Sequence, residues 1–378
     1  MLNYLRPPKL RTFKALSYRS YATRSHGPFK ILFFGFDEFS CGVMDVLHKA
    51  NDVWDEIHIG TQPNMMTGRR RGKETISALK LRAQELGLPV HHIPPERKEF
   101  KHWQLPSPFT SSVYPLPEYH VLVTASFGRI LPKSMLEKFS PYGRLNVHPS
   151  LLPAYRGPAP IHRAIMDGHD ELGCSIISMK KFSEGIDTGE IWKQERWRIE
   201  GEPYFPAVRD KLASLGGTLL VQVLRDMREG KAQSRPQLED PHALYAPFIS
   251  TEDSCPNFRE LTASQILRRH FALSYRKPIF GYIPTGQTVQ FFDLSVVESD
   301  STIYSDASMS LHQPGSATFH KSFKRLLIRC ADDTLLSVPK VRPENSVKIL
   351  PAQDWWNGVC STQHVVDKVI MFSHQHSV

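Results

Sequence analysis

Short apolar runs alternate with helix-periodic segments along the first half of the chain. The apolar runs have the length and composition of buried strands, and they fall at residues 30–36, 55–60, 88–93, 119–125 and 144–148. Between them, apolar positions three or four residues apart predict helices, at about 38–50, 74–87 and 132–139. Strands and helices that alternate at this spacing predict an α/β fold with an open, mostly parallel, Rossmann-like sheet.

The chain changes character after one long amphipathic helix. The pattern predicts, in order, a helix near 160–166, strands at 174–181 and 189–197, and that long helix at 207–227. Residues 229–253 are polar and Pro-rich, which is typical of a linker. From 254 to 378 short β-like runs alternate with turns, which predicts a small β-barrel of the OB type. We therefore expect an α/β domain at 28–228, with the Pro-rich stretch 94–117 as an inserted surface loop.

The amino terminus carries most of the excess positive charge. No acidic residue precedes Asp37, whereas basic, Ser and Thr residues are frequent there. This composition is typical of an organellar presequence, and RSYAT resembles a mitochondrial processing site cut after Tyr21. Removing residues 1–21 takes away five positive charges and lowers the formal net charge from +9 to +4. We expect import into the mitochondrial matrix, with a disordered basic tail as the alternative.

The cysteines and the apolar content disfavour several classes of protein. The five cysteines are scattered, none lies in a C-x-x-C motif, and H-E-x-x-H does not occur among the 17 histidines. A disulfide framework or a zinc site is therefore disfavoured, and we expect no metal. No apolar run approaches the roughly 18 residues of a transmembrane helix, so we expect no membrane partner. We expect a monomer, although no sequence feature fixes the oligomeric state.

Two polar residues end the fifth predicted strand. Asn146 and His148 are two residues apart, so their side chains point to the same side of the strand, and Pro149 then helps to end it. Ligands of open parallel sheets bind beyond the carboxyl ends of the strands. An amide donor beside an imidazole suits acyl transfer, because the amide can bind a developing oxyanion and the imidazole can hold or deliver a proton. The alternative is a structural pair that satisfies backbone groups of the loop.

A carboxylate and a basic loop are further candidates. Asp187 lies in the Gly-flanked turn KKFSEGIDTGEI, and beside His148 it would favour an imidazolium and accept a proton from an attacking amine. Without other evidence it is equally a turn former. The loop TGRRRGK suits phosphate binding, or is a solvated turn, and its basic residues are Arg69, Arg70, Arg71 and Lys73. A second basic run holds Lys321, Lys324 and Arg325.

Several segments resemble methionyl-tRNA formyltransferases. They are NVHPSLLPAYRGPAPI, EGIDTGEI, TASFGRILPKSML, and the stretch from IGTQPN through GRRRGK to LKLRAQELGLPV. The similarity runs from about residue 30 to about residue 240 and returns more weakly in LYAPFIS and near the carboxyl terminus. It implies that 10-formyltetrahydrofolate donates its formyl group to the α-amine of initiator methionyl-tRNA, for mitochondrial translation initiation.

The resemblance also implies roles for individual residues. Asn146, His148 and Asp187 fall on the family's catalytic set, and the loop with Arg69 to Arg71 on its contact to the acceptor end of tRNA. The formyl donor would lie against the S-L-L-P segment and the loop after the fourth strand, at Ser150, Leu151, Leu152, Pro153, Phe127, Ile130 and Leu131. A role of the C-terminal domain in tRNA binding follows in the same way.

Three rival functions stay open at this point. A folate-dependent formyltransferase could instead act on a small amine: an enzyme for glycinamide ribonucleotide would not need the C-terminal domain, and an enzyme for a sugar nucleotide would need neither the RRRGK loop nor an import signal. A catalytically silent tRNA-binding protein would not need Asn146, His148 and Asp187 together. A hydrolase built on Ser150 is disfavoured, because this serine lies in a Pro-bounded loop and not in G-x-S-x-G.

Overall fold

A seven-stranded sheet forms the first half of the molecule. The computed structural model describes residues 19–20, 27–67, 72–111 and 114–374. The strands are β1 Phe29–Phe34, β2 Trp54–Thr61, β3 Val90–His92, β4 His120–Ala125, β5 Arg144–His148, β6 Glu171–Ser178 and β7 Ile191–Arg198. They lie in the order β7-β6-β5-β4-β1-β2-β3. The first five pair in parallel, and β6 and β7 add an antiparallel hairpin beside β5. The predicted mostly parallel α/β sheet is confirmed.

The strand period of two divides the apolar side chains between the two faces of the sheet. In β1, Phe29, Ile31 and Phe33 join the larger core, whereas Leu32 and Phe34 join a second core on the other face. Both faces are apolar because helices or loops cover both, as expected for parallel strands. This arrangement explains why the strands appear in the sequence as continuous apolar runs.

Nine helices lie in the described part of the chain. They are α1 Glu38–Lys49, α2 Ala78–Glu85, α3 Arg97–Phe100, α4 Lys133–Lys138, α5 Pro160–Asp167, α6 Phe205–Arg228, α7 Ala263–Leu273, α8 Thr302–Ser308 and α9 Ala352–Val359. The side chain of Asp37 caps α1 by accepting a hydrogen bond from the Ser40 N–H. In α6 the predicted apolar stripe, with Val208, Leu212 and Leu219, is buried against the sheet and α1.

The Pro-rich stretch 94–117 differs from the prediction of a surface loop. It contains α3, and its Phe100 and Phe109 are buried in the second core. In the described residues, the second core contains no long helix, since α4 has only six residues. Apolar side chains of the stretch 94–117 therefore cover this face of the sheet. The sequence pattern missed this because the apolar residues recur without a helix or strand period.

The second half of the molecule contains two antiparallel sheets. One has four strands and the other five. Their longer strands are β8 Ile279–Tyr282, β9 Thr288–Phe292, β10 Ser295–Val297, β11 Ser316–His320, β12 Arg325–Arg329, β13 Leu335–Val338 and β14 Lys340–Pro343. The β-rich prediction is confirmed, but it omitted helices α7, α8 and α9. No helix in the described ranges is long and apolar enough to cross a membrane.

The two halves share one apolar core and a buried ion pair. Apolar residues of α6 and of α7 belong to the same buried cluster. Arg163 of α5 forms a bidentate pair with Asp253, with N–O distances of 2.7 and 2.9 Å. Burial alone raises the pKa of Asp253, but the hydrogen bonds from Arg163 and from the Ser250 N–H hold it below its ordinary value. The linker therefore ends in a fixed contact with the first half of the molecule.

Candidate active site

Asn146 and His148 lie on one side of β5, at the carboxyl end of the parallel strands. Thr124 of β4 is the parallel neighbour of Asn146, and its hydroxyl donates a hydrogen bond to Asn146 Oδ1 at 2.7 Å. This bond fixes the amide, so that its Nδ2 donor points away from β4, towards Asp187 Oδ1 at 3.4 Å. The donor that acyl transfer needs is therefore oriented before any substrate binds. A polar residue inside the apolar run HVLVTA is the sequence signal that could have identified Thr124.

The two ring nitrogens of His148 have different partners. The ring is buried, and its Nε2 lies 2.9 Å from the Tyr155 carbonyl oxygen. A carbonyl can only accept a hydrogen bond, so Nε2 carries a proton. The other nitrogen, Nδ1, faces Asp187 Oδ2 at 3.7 Å. The imidazole is thus held between a backbone carbonyl at Nε2 and a carboxylate at Nδ1.

Asp187 occupies a strained position in the turn between β6 and β7. Its φ is 55°, a left-handed conformation that costs a non-glycine residue about 1 kcal/mol or more. The Gly157 N–H donates to its Oδ2 at 3.0 Å. Gly189 is required just beyond it, because an added Cβ would lie 1.7 Å from the Ser178 carbonyl oxygen. The turn thus brings the carboxylate to the two side chains of β5.

Two of the four residues of the S-L-L-P segment are buried and two are half-buried. Ser150 is buried and donates to the Ala154 carbonyl at 2.7 Å. Leu152 is buried in a small apolar cluster between β6 and β7. Leu151 and Pro153 are half-buried. Of the four residues predicted here to contact the formyl donor, only Leu151 and Pro153 therefore expose part of their surface.

The loop after β4 also divides between core and surface. Phe127 packs against Phe34, with ring centroids 4.9 Å apart, and Leu131 is buried in the same second core. Ile130 between them is 46 % exposed. Of the three residues of this loop predicted to contact the formyl donor, only Ile130 therefore has an exposed apolar side chain. Phe127 and Leu131 hold the loop in place.

A carboxylate that the sequence analysis did not select lies beside this loop. The Ser126 hydroxyl donates to Asp37 Oδ2 at 2.5 Å, and Ser126 has a left-handed φ of 47°. Burial raises the pKa of Asp37 above its ordinary value. Asp37 also caps α1, so its carboxylate joins the start of this helix to the loop after β4, which is a structural role.

The structure describes four of the seven predicted phosphate-binding residues. Arg69, Arg70 and Arg71 lie outside the described residues, and Lys73 begins the second strand of a short hairpin, Met65–Thr67 with Lys73–Thr75. Lys321 and Lys324 are exposed in the turn between β11 and β12. Arg325 is exposed at the start of β12.

Two contacts of the linker escaped the sequence analysis. The Gln237 amide nitrogen donates to the carbonyls of Asp187 and Gly189, at 2.6 and 2.8 Å. The Arg156 guanidinium donates twice to Gln237 Oε1, at 2.9 and 2.6 Å. Arg156 and Gln237 are 81 positions apart, so no local pattern joins them.

In the part of the chain that the structure describes, no cluster of His, Cys, Asp and Glu has the arrangement of a metal site.

Comparison with known proteins gives consistent matches over both halves. The "Formyl transferase" family model matches residues 29–224, and the "Formyl transferase, C-terminal domain" model matches 248–359. The mitochondrial methionyl-tRNA formyltransferase of Rattus norvegicus is 32% identical over 353 residues, which are 92% of this chain and 82% of that protein. The Homo sapiens enzyme of the same name is 31% identical over 93% of this chain and 84% of its own length.

A solved structure with the same fold is an N-formyltransferase from Helicobacter canadensis, in complex with folinic acid and dTDP-3-aminofucose. It is 14% identical, with a TM-score of 0.55, over 82% of this chain and 98% of that one. At this identity the similarity concerns the fold alone.

Proposed function

Because the chain belongs to the family of methionyl-tRNA formyltransferases, we propose that Asn146, His148 and Asp187 catalyse its formyl transfer. The chain formylates methionyl-tRNA with a folate-type formyl donor. The observation that carries the catalytic proposal is the meeting of the three polar side chains at the carboxyl end of β5. Asp187 lies 3.4 Å from the Asn146 amide and 3.7 Å from the His148 ring.

The proposed reaction forms one C–N bond and breaks another. The methionyl α-amine attacks the formyl carbon, and the carbonyl oxygen becomes a tetrahedral oxyanion that accepts a hydrogen bond from Asn146 Nδ2. Asp187 takes the proton of the attacking amine, directly or through a water molecule. His148 helps to stabilise the oxyanion through its Nδ1 side, because its Nε2–H is already donated to the Tyr155 carbonyl oxygen. The proton finally passes to the folate nitrogen that leaves as the intermediate collapses.

For the donor we propose 10-formyltetrahydrofolate. Ile130, with the exposed edges of Leu151 and Pro153, would contact its flat ring. Backbone groups of the same loops would bind the ring edge. Ser150, Leu152, Phe127 and Leu131 would hold these loops in shape from beneath, since their side chains are buried.

For the tRNA we propose that positive side chains bind the phosphates. The basic loop of the sequence would contact the acceptor end through Arg69, Arg70, Arg71 and Lys73. In the C-terminal domain, the exposed turn with Lys321, Lys324 and Arg325 would follow the tRNA backbone. Initiator tRNA is the proposed form of the substrate.

Location and domain limits are proposals of the same kind. The rat and human relatives are mitochondrial enzymes, which indicates a mitochondrial location, and we propose the matrix, with residues 1–21 as the presequence. The proposed catalytic domain is 28–228, the linker 229–253 and the tRNA-binding domain 254–378. Residues 1–18 and 21–26 lie outside the described part of the chain. We propose that the enzyme acts as a monomer.

One assay tests the function against its main rival. Purified residues 22–378 are given 10-formyltetrahydrofolate labelled in the formyl group, together with either charged initiator tRNA or an amino-sugar nucleotide. We expect labelled formylmethionine from the tRNA and no labelled sugar. Labelled sugar without formylmethionine would favour the small-amine enzyme. Binding of tRNA with no transfer at all would favour the silent binding protein.

A further inference from the structure

The first part of the linker lies along the turn that carries Asp187. Main-chain hydrogen bonds run in both directions between Ile191 and Arg235, at 2.8 and 2.9 Å. Arg235 therefore bridges to Ile191, at the start of the edge strand β7. This pairing places the Gln237 side chain beneath the turn, where it is half-buried.

The second part of the linker lies along the loop after His148. The Tyr155 N–H donates to the Leu244 carbonyl at 2.6 Å, and the Ala246 N–H donates to the Arg156 carbonyl at 2.8 Å. We call residues 233–246 the strap, because they are bound to both loops that surround Asp187. The catalytic half and the strap are thus one hydrogen-bonded unit.

We propose that Gln237, held by Arg156, is a positioning residue that fixes the carboxylate of Asp187 for catalysis. This inference rests on the catalytic role proposed for Asp187. The two N–H groups of the Gln237 amide donate to the carbonyl of the strained residue itself, Asp187, and to the carbonyl of Gly189 two residues later. Its oxygen accepts two bonds from Arg156. The amide is therefore locked in the one orientation that presents both donors to the turn.

Tight positioning of this kind affects rate more than binding. Asp187 has a left-handed φ, so the turn relaxes to a different conformation when the bonds that hold its carbonyl are removed. Its side chain then leaves the positions measured from Asn146 and His148. A displacement of about 1 Å at a catalytic group reduces turnover by as much as about 100-fold. Within the described residues the side-chain hydrogen bonds of Gln237 join it to two backbone carbonyls and to Arg156, so we expect substrate affinity not to depend on it.

Three full-length variants test the proposal. Gln237→Ala removes both donors, and we expect kcat to fall at least about 10-fold with both KM values within about 2-fold. Gln237→Glu keeps the size and the pairing with Arg156, but sets a carboxylate oxygen against two carbonyls, so we expect a larger loss. The matched control is Gln290→Ala, which removes the same Arg–Gln pairing from Arg342 in the C-terminal sheet. The control should leave kcat unchanged.

A double-mutant comparison separates positioning from general destabilisation. In the Asp187→Asn background, the further change Gln237→Ala should cost almost nothing, because its effect passes through a carboxylate that is already absent. Additive losses would overturn the inference, as would full activity of Gln237→Glu. If Asp187→Asn itself kept normal turnover, the catalytic role of Asp187 would be wrong. If that variant were inactive but Gln237→Ala normal, only the role of Gln237 would be wrong.

Discussion

The substitution Asn146→Asp tests the amide donor with almost no change in shape. Thr124 can still donate its hydroxyl proton to one oxygen of the new side chain, so the orientation is kept. The second oxygen replaces the Nδ2 donor and faces Asp187 Oδ1, which lies 3.4 Å from the native nitrogen. The change thus removes a donor for the oxyanion and places two carboxyl groups together.

Both effects can be estimated from this geometry. Loss of one oxyanion donor costs about 10²–10³ in kcat, or about 3–4 kcal/mol. Two unit charges 3.4 Å apart repel by about 5 kcal/mol at an effective dielectric constant of about 20. Near neutral pH one of the two carboxyl groups therefore keeps its proton, and the base is weakened as well. We expect kcat to fall by at least about 300-fold.

The assay is formylation of charged tRNA at saturating folate, with kcat and both KM values compared with the wild type. The control is Thr124→Val, which keeps the amide donor but frees its orientation, and should cost only several-fold in kcat. The ratio of variant to wild-type kcat should rise as pH is lowered from alkaline values towards neutrality, because the proton that the carboxyl pair then takes up can be donated to the oxyanion. An Asn146→Asp enzyme with turnover within a few-fold of normal would refute the donor role.

Other predictions concern the tRNA loop, the glycine beside Asp187 and the ion pair between the halves. Replacing the three arginines at 69–71 by Gln should raise KM for tRNA at least about 10-fold. It should also reduce the slope of log KM for tRNA against log salt concentration by roughly 2 to 3, without changing KM for folate. Gly157→Ala should lower kcat and reduce the free energy of unfolding by about 2 kcal/mol, because φ is +119° and the new Cβ would lie 2.7 Å from the Ala246 carbonyl oxygen. Arg163→Met leaves Asp253 charged and largely buried, and should cost about 3 kcal/mol in urea unfolding at neutral pH. Since the folded-state pKa of Asp253 is lowered, this contribution is full above the unfolded pKa of about 3.9 and is lost as pH falls through the folded value.

Matched substitutions check the last two predictions. Gly201→Ala also has a positive φ, of +77°, but nothing lies within 4 Å of the new Cβ, so it should affect stability and not kcat. Arg225→Met breaks a bidentate pair with Asp52 that is about half exposed, and should cost less than about 1 kcal/mol. Equal losses for Arg163→Met and Arg225→Met would show that burial of the pair does not matter. An unchanged KM for tRNA would remove the arginines at 69–71 from the binding site.

Most of the sheet and part of the site could be predicted because their signals are local. The strands of the first sheet are apolar runs with clear ends, and β5 ends in the pair Asn146 and His148 that the pattern singled out. The stretch 94–117 was mispredicted because its buried rings follow no period. The helices of the C-terminal half were missed since they are short, apart from α7, and alternate with β-like runs.

The contacts of Gln237 could not be predicted for a different reason. Its partners are the carbonyls of a turn about 50 positions earlier and the Arg156 side chain 81 positions earlier. Backbone carbonyls carry no sequence identity, so nothing in a single sequence marks them as partners. Residues 229–253 were therefore interpreted from composition as a linker, which describes their polarity but not their contacts.

The strap also determines where this protein can be recombined with another. A chimera that joins its catalytic half to a foreign C-terminal domain at residue 228 would lose Gln237, whose amide donates the two hydrogen bonds that hold the turn of Asp187. A junction after Ser250 keeps every bond of the strap, and the new partner would have to replace Asp253 as the partner of Arg163 and the apolar contacts that α7 makes with the first half. The exchangeable module of this enzyme is thus longer than its sheet, and the natural point of division lies about 20 residues beyond the last helix that packs on it.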